Sequence, residues 1–310
     1  MKKESRQKIA IIGAGTIGGA LARALASEWP LTATRRNLAK ARALEGLGVR
    51  LTGDNREAAA ESDIILLAVK PLQVVPVLQE IAPFTDGKTV ISFAAAISLD
   101  IMNRAAPGSR FIRAMTNTAV EIRKGYTVYA CSSTVSEADR RLAEEILGSV
   151  GEVQAVDESH LDVLTAMAGS GPAYLYTVVE SLIYGALRMG LPRDLALRSA
   201  AHTLIGASEL LLASGKHPAE LRDSVVTPGG VTIEGLYELE EGRVRTAFMK
   251  AVCAASTQAR ALAKDARIQA EKAITPFFAS GQEEIRESAL DKIVEPLYDG
   301  SNFPKGEASN

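Results

Sequence analysis

Through the first half of the chain, short apolar runs alternate with stretches whose apolar positions recur every three or four residues. The runs are "KIAIIGA", "LTATR", "DIILLAV", "KTVISFAA" and "SRFIRAM"; helical patterns open at Thr16, Asn37 and Pro71. Continuous apolar runs suit strands covered on both faces, and strands separated by helices give βαβ units. Two more strand-like runs, "GYTVYAC" and "GEVQAVD", flank a helical pattern from Ser136 to Leu147. After about Asp157 the strand signal ends. Ala- and Leu-rich helix then runs to about Lys264, punctuated at Gly169–Pro172, Gly190–Pro192, Ser214–Pro218 and Pro228–Gly230. The pattern predicts an α/β fold: an N-terminal doubly wound parallel sheet, residues 1–157, then an all-helical domain, 158–275. Residues 276–310 hold Pro276, Gly281, Pro296 and Pro304 and are expected to form a C-terminal extension.

Composition narrows the function classes. With 35 Lys and Arg against 37 Asp and Glu, the chain has no basic field for nucleic acid. No apolar run reaches the roughly 20 residues needed to span a bilayer, and "MKKESRQKIAIIGAG" lacks a signal-peptide pattern, so a cytoplasmic protein is expected. Cys131 and Cys253 form no CxxC, and His160, His202 and His217 show no ligand spacing, so no metal site is expected.

Gly13, Gly15 and Gly18 form a GxGxxG directly after the first strand, with Thr16 and Ile17 opening the helix. In that setting the glycines admit a pyrophosphate to the backbone and let helix and strand pack closely, the fingerprint of a Rossmann-type dinucleotide site. At the end of the second strand, where an acid would take the ribose of NAD, the chain carries Thr34, Arg35 and Arg36. Arginine offers planar donors to a 2′-phosphate, so NADPH is the expected cofactor, with NADH as an alternative. Farther on, "TPGGVTIEG" sets Pro228, Gly229 and Gly230 before a helix opening on Val231 and Thr232. It is either a tight turn or a cradle in which backbone N–H groups and the helix dipole hold an anion.

At "LLAVKP", "MTNT", "GSGPAY", "MGLPR" and "HPAELRDSVVTPGGVTIEGLYELEEG" the chain resembles the pyrroline-5-carboxylate reductase family, in order from about residue 8 to 265. The resemblance implies NADPH-dependent reduction of the cyclic imine 1-pyrroline-5-carboxylate to L-proline, in proline biosynthesis. It implies that Asn55, Ala68, Val69 and Lys70 line the adenine-ribose and pyrophosphate side, with Ala95 and Asn117 near the nicotinamide. It also implies that Gly229, Gly230, Val231 and Thr232 receive the substrate carboxylate and that the Thr232 hydroxyl donates to the imine nitrogen. Thr227 supports the carboxylate or merely the turn. Ser170 and Pro172 read as an N-cap and an early-helix proline. Family members assemble as dimers with interleaved helices, sometimes as decamers, so a homodimer or larger homo-oligomer is expected. One departure is Ala119, where the family usually has Pro after "NT"; it is expected to loosen the loop beneath the nicotinamide. Reduction of another cyclic imine carboxylate, or an NADP-binding sensor without turnover, remain as alternatives. A β-hydroxyacid dehydrogenase would place a Lys near the start of the long helix as base, and Ala168 to Gly190 contains none.

Overall fold

The computed structural model describes residues 6–278. Eight strands form one sheet in the order β3-β2-β1-β4-β5-β6-β7-β8. These are β1 Ile9–Ile12, β2 Leu31–Thr34, β3 Arg50–Thr52, β4 Ile64–Leu67, β5 Thr89–Ser92, β6 Arg110–Met115, β7 Gly125–Cys131 and β8 Gly151–Ala155. Side chains alternate across the sheet. Ile9, Ile11, Ile64 and Leu66 pack into one apolar cluster, and Ala10, Ile12, Ile65 and Leu67 into the other. Covering both faces explains the unbroken apolar runs of β1 and β4.

Helices α1 Thr16–Leu25, α2 Asn55–Ala60, α3 Val74–Ile81, α4 Leu99–Ala105 and α5 Glu137–Gly148 cover the faces. Strand order reverses between β1 and β4, so the loops leaving these two strands, Gly13–Gly15 and Ala68–Lys70, part at a topological switch point.

Three local departures from the sequence reading have physical reasons. The sheet is parallel except that β7 runs antiparallel to β6. The link from Thr116 to Lys124 is a short 3₁₀ turn, too short for the crossover that a parallel pair requires. The segment expected as helix from Asn37 is 3₁₀-helical, Leu38–Leu47, and stops at Gly48 with φ +77°. The three-residue edge strand β3 and short α2, which the periodicity did not reveal, follow it. Asp54 caps α2 by accepting from the Arg56 and Glu57 amides.

The helical half comprises α6 Leu161–Leu164, a π-helical turn Thr165–Gly169, then α7 Gly171–Arg188, α8 Arg193–Ser214, α9 Pro218–Ser224, α10 Val231–Glu241 and α11 Val244–Phe278. Pro172 falls in the first turn of α7 as expected. Ser170 is not a side-chain cap: the π turn already runs into α7, and the Ser170 hydroxyl donates back to the Thr165 carbonyl. No described residue of α7, α9 or α10 is buried, and α8 buries only Ala196 and Ala200. Tyr176, Leu182, Leu210 and Leu212 are exposed. Apolar faces this open in one chain need a covering surface. By contrast α11 returns to the sheet domain, burying Ala266, Ala270 and Ile274 in the cluster that holds Leu78 and Met102. The extension expected at 276–310 lies outside the described residues beyond the end of α11.

Candidate active site

The glycine loop is held from beneath. Gly13 has φ +98°, and a Cβ there would come within 2.8 Å of Val69 Cγ1 and 3.0 Å of the Ala68 backbone. At Gly18 a Cβ would meet the Gly13 carbonyl oxygen at 2.2 Å, so α1 can start this close only without a side chain. A Cβ on Gly15 would meet nothing within 4 Å; the space above that residue is open to a ligand. Two glycines fixed by contact and one facing open space fit a dinucleotide pyrophosphate at the start of α1.

A trough of about 360 Å³ runs beside this loop, lined by Gly13, Gly15, Thr34, Arg35, Arg36, Asn55, Ala68, Val69 and Lys70. The structure thus gathers nine of the expected nucleotide-side residues along one surface, from segments far apart in sequence. Their states differ. The Thr34 hydroxyl donates to Asn55 Oδ1 at 2.7 Å and accepts from the Gly13 amide at 3.2 Å. Asn55 Nδ2 donates to Glu80 at 3.1 Å. Thr34 and Asn55 therefore brace the wall. Arg35 is also engaged, donating to the Ala14 carbonyl at 2.8 Å and the Lys40 carbonyl at 3.1 Å. Arg36 is exposed and, among the described residues, has no hydrogen-bond or ion-pair partner. Asn37, which follows the Arg pair in the place an acid would take for NAD, lines the trough too, as do Lys40 and Gln73, which the sequence did not single out. For Lys40 the signal was a third cation just beyond the Arg pair.

At Lys70 and Gln73 the trough meets a cavity of about 840 Å³ between the sheet domain and α11, walled by Ala95, Ala96, Asp162, Thr165 and Leu262 among others. Through Ala95, Thr165 and Ser170 that cavity adjoins a niche of about 260 Å³, where Ile17, Arg113 and Met115 lie. Ala95 and Ile17 are thus near the inner end, beyond the trough. Thr16 begins α1 and lines none of these spaces. Neither does Asn117: its Nδ2 donates to the Ala168 carbonyl at 3.2 Å, tying the π turn to the end of β6. Its Oδ1 accepts from the Ala119 amide at 3.1 Å. The loop expected to be loosened by Ala119 is closed by that bond, which a proline lacking N–H could not make.

Thr227 to Thr232 form a turn in which the Gly230 amide donates to the Thr227 carbonyl at 3.0 Å and Gly229 has φ +66°. A Cβ on Gly230 would strike the Thr227 hydroxyl at 2.2 Å. Val231, the first residue of α10, is 90% exposed. Within one chain, Thr227, Gly229, Gly230, Val231 and Thr232 line none of the three connected spaces. Among the described residues, no helix is long and apolar enough to cross a membrane.

A reversed-order sheet, a glycine loop at its switch point and a trough bearing an exposed arginine make this a dinucleotide-binding oxidoreductase; residues 8–96 match the family model described as NADP oxidoreductase, coenzyme F420-dependent. Residues 158–262 match the model for pyrroline-5-carboxylate reductase dimerisation. A pyrroline-5-carboxylate reductase from Glycine max is 37% identical, over 82% of this chain and 95% of its own length. Pyrroline-5-carboxylate reductase 2 of Homo sapiens is also 37% identical, over 82% of this chain and 83% of its own. Among solved structures, Plasmodium falciparum pyrroline carboxylate reductase with NADP bound superposes with a TM-score of 0.78 at 29% identity, covering 83% of this chain and 98% of that one. The Coxiella burnetii pyrroline-5-carboxylate reductase gives 0.74 at 32% identity, with the same coverage. The chain belongs to the pyrroline-5-carboxylate reductase family.

Proposed function

We propose that the protein reduces 1-pyrroline-5-carboxylate to L-proline with NADPH, as a cytoplasmic enzyme of proline biosynthesis working as a homodimer or larger homo-oligomer. The observation that carries this reading is the continuity of the trough beside Gly15 and Arg36 with the cavity at Ala95 and Thr165, in a chain of this family. NADPH, when bound, supplies a hydride to the C=N carbon. The Gly13–Gly15 backbone and the N-terminus of α1 hold the pyrophosphate. Arg36, with Lys40 nearby, takes the 2′-phosphate, and Ala68, Val69 and Lys70 form the opposite wall. Ile17 and Ala95 bound the nicotinamide end. Asn117 acts there indirectly, by holding the π turn.

The substrate half is supplied by a second copy. The exposed faces of α7, α8 and α10 support such a partner, and the sheet domain (1–157) and helical domain (158–275) divide the labour accordingly. The turn at Thr227–Gly230 and the free amides of Val231 and Thr232 receive the carboxylate, and the Thr232 hydroxyl hydrogen-bonds the ring nitrogen.

Steady-state turnover of pyrroline-5-carboxylate with NADPH tests the reading. A higher kcat/KM for the six-membered cyclic imine carboxylate would reassign the substrate, and NADPH binding without turnover of either would indicate a sensor. Thr232→Ala, with its melting temperature and NADPH affinity unchanged, is expected to lose about 10- to 1,000-fold in kcat, while Thr232→Ser keeps most activity. Undiminished turnover by Thr232→Ala would leave the turn an anion cradle only.

A further inference from the structure

Where the sheet domain meets the helical half, one buried cation is shared by two carboxylates. Arg113, on β6 and 7% exposed, donates to Glu158 Oε1 at 3.2 Å and to Asp162 Oδ1 at 2.9 Å. Glu158 is further engaged, since the same oxygen accepts from the Leu99 amide at 2.8 Å, at the start of α4. The cluster thus carries one negative charge in excess. Its members also face different ways. Arg113 borders the inner niche, Asp162 lines the large cavity, and Glu158 lines neither. Among the described residues, the other charged ones on the cavity wall are Lys70, at the mouth of the trough, and Asp265 on α11.

We propose that Asp162 is the electrostatic residue of the substrate cavity, holding a cyclic cation, the protonated imine. The inference rests on the imine-reductase reading. In the reaction, the ring nitrogen takes a proton from water, whose hydroxide is neutralised by the buffered solvent, and the C=N carbon receives the hydride. The C=N π pair ends as the nitrogen lone pair, with proline and NADP⁺ as products. The protonated imine is the better hydride acceptor, and a nearby carboxylate favours that form. A residue acting only by packing around Arg113 would not discriminate between cationic and neutral rings.

The experiment compares Asp162→Asn with Glu158→Gln. Both remove one carboxylate from Arg113, but only the first removes a charge facing the cavity. With NADP⁺ present, binding is measured for L-proline, whose ring nitrogen is cationic, and for tetrahydrofuran-2-carboxylate, whose ring oxygen is neutral. Asp162→Asn is expected to weaken proline binding about tenfold and leave the ether unchanged, whereas Glu158→Gln changes neither. In turnover, the alkaline fall of kcat/KM should move down by about one pH unit in Asp162→Asn only. Asp162→Glu keeps the charge and should keep the discrimination, and Asp162→Ser replaces the Asn variant if that one melts early. Equal losses for proline and the ether, or like behaviour of the two carboxylate variants, would overturn the assignment. A parent enzyme that binds both ring compounds yet leaves pyrroline-5-carboxylate unreduced would refute the substrate reading, while the binding comparison would still decide the role of Asp162.

Discussion

The two arginines after β2 should behave differently when removed. In sequence they form a pair offered to one phosphate, and their joint loss would be expected to spare NADH. Among the described residues Arg36 has no hydrogen-bond or ion-pair partner, whereas Arg35 is fastened to the carbonyls of Ala14, inside the glycine loop, and of Lys40. If the 2′-phosphate sits as proposed, Arg36→Ala removes a ligand contact and, among the described residues, no hydrogen bond or ion pair. A hydrogen bond to a charged group is worth about 1.5–3 kcal/mol, so the NADPH KM should rise about 10- to 150-fold, nearer the lower figure because the residue is exposed to solvent screening, with NADH little changed. Arg35→Ala removes the brace on the Gly13–Gly15 loop, which both cofactors share, and both KM values should rise. Steady-state kinetics with each cofactor, supported by fluorescence titration of binding, measures the contrast. Equal losses of NADPH and NADH in Arg36→Ala, or an Arg35→Ala enzyme that keeps its parent affinity for NADH, would refute the division of roles.

Other expectations follow from contacts already described. Gly18→Ala drives a Cβ toward the Gly13 carbonyl and should cost about 1–3 kcal/mol, read as a lowered melting temperature alongside weaker NADPH binding. The Tyr129 phenol is pushed up to about 12 by burial first and then by its hydrogen bond to Glu144. Between pH 10 and that value the unfolded chain has released this proton and the folded chain has not, so stability falls as pH rises. Phenolate absorbance should show the late titration, and Tyr129→Phe should flatten that part of the stability profile. Leu182→Asp with Leu210→Asp, on exposed apolar faces of α7 and α8, should give a smaller species by light scattering that binds NADPH but no longer turns over. A fully active monomer would exclude a shared cavity.

The sheet was legible because buried parallel strands are written as unbroken apolar runs, and β1, β4 and β5 each bury all four residues. The edge was not: β3 has three residues, none buried, and leaves too little contrast to register. The reversal at β7 was hidden for another reason, since strand direction depends on the length of a connection and not on the strand's own residues. At the nucleotide end, GxGxxG and the basic pair located the trough, but residue types could not show that Thr34 and Asn55 would bond each other, or that Arg35 would turn inward. The Pro-Gly-Gly turn was equally conspicuous, yet within one chain it lines neither the trough nor the spaces joined to it, and no local pattern encodes where a turn lies relative to a distant loop. Arg113, Glu158 and Asp162 come from a strand and from the start of the helical half, so only folding brings them together.

The return of α11 to the sheet domain has a mechanical consequence. The helical half leaves that domain at Leu161 and re-enters it at Ala266, Ala270 and Ile274, so it is rooted at both ends in one apolar cluster. An element tethered once swings about a single joint; one tethered twice can only flex between its anchors. Any helices lent to a neighbouring copy would then carry the pull of that contact back to two places in the lender, the wall of its own cavity and the strands beneath its own nucleotide trough.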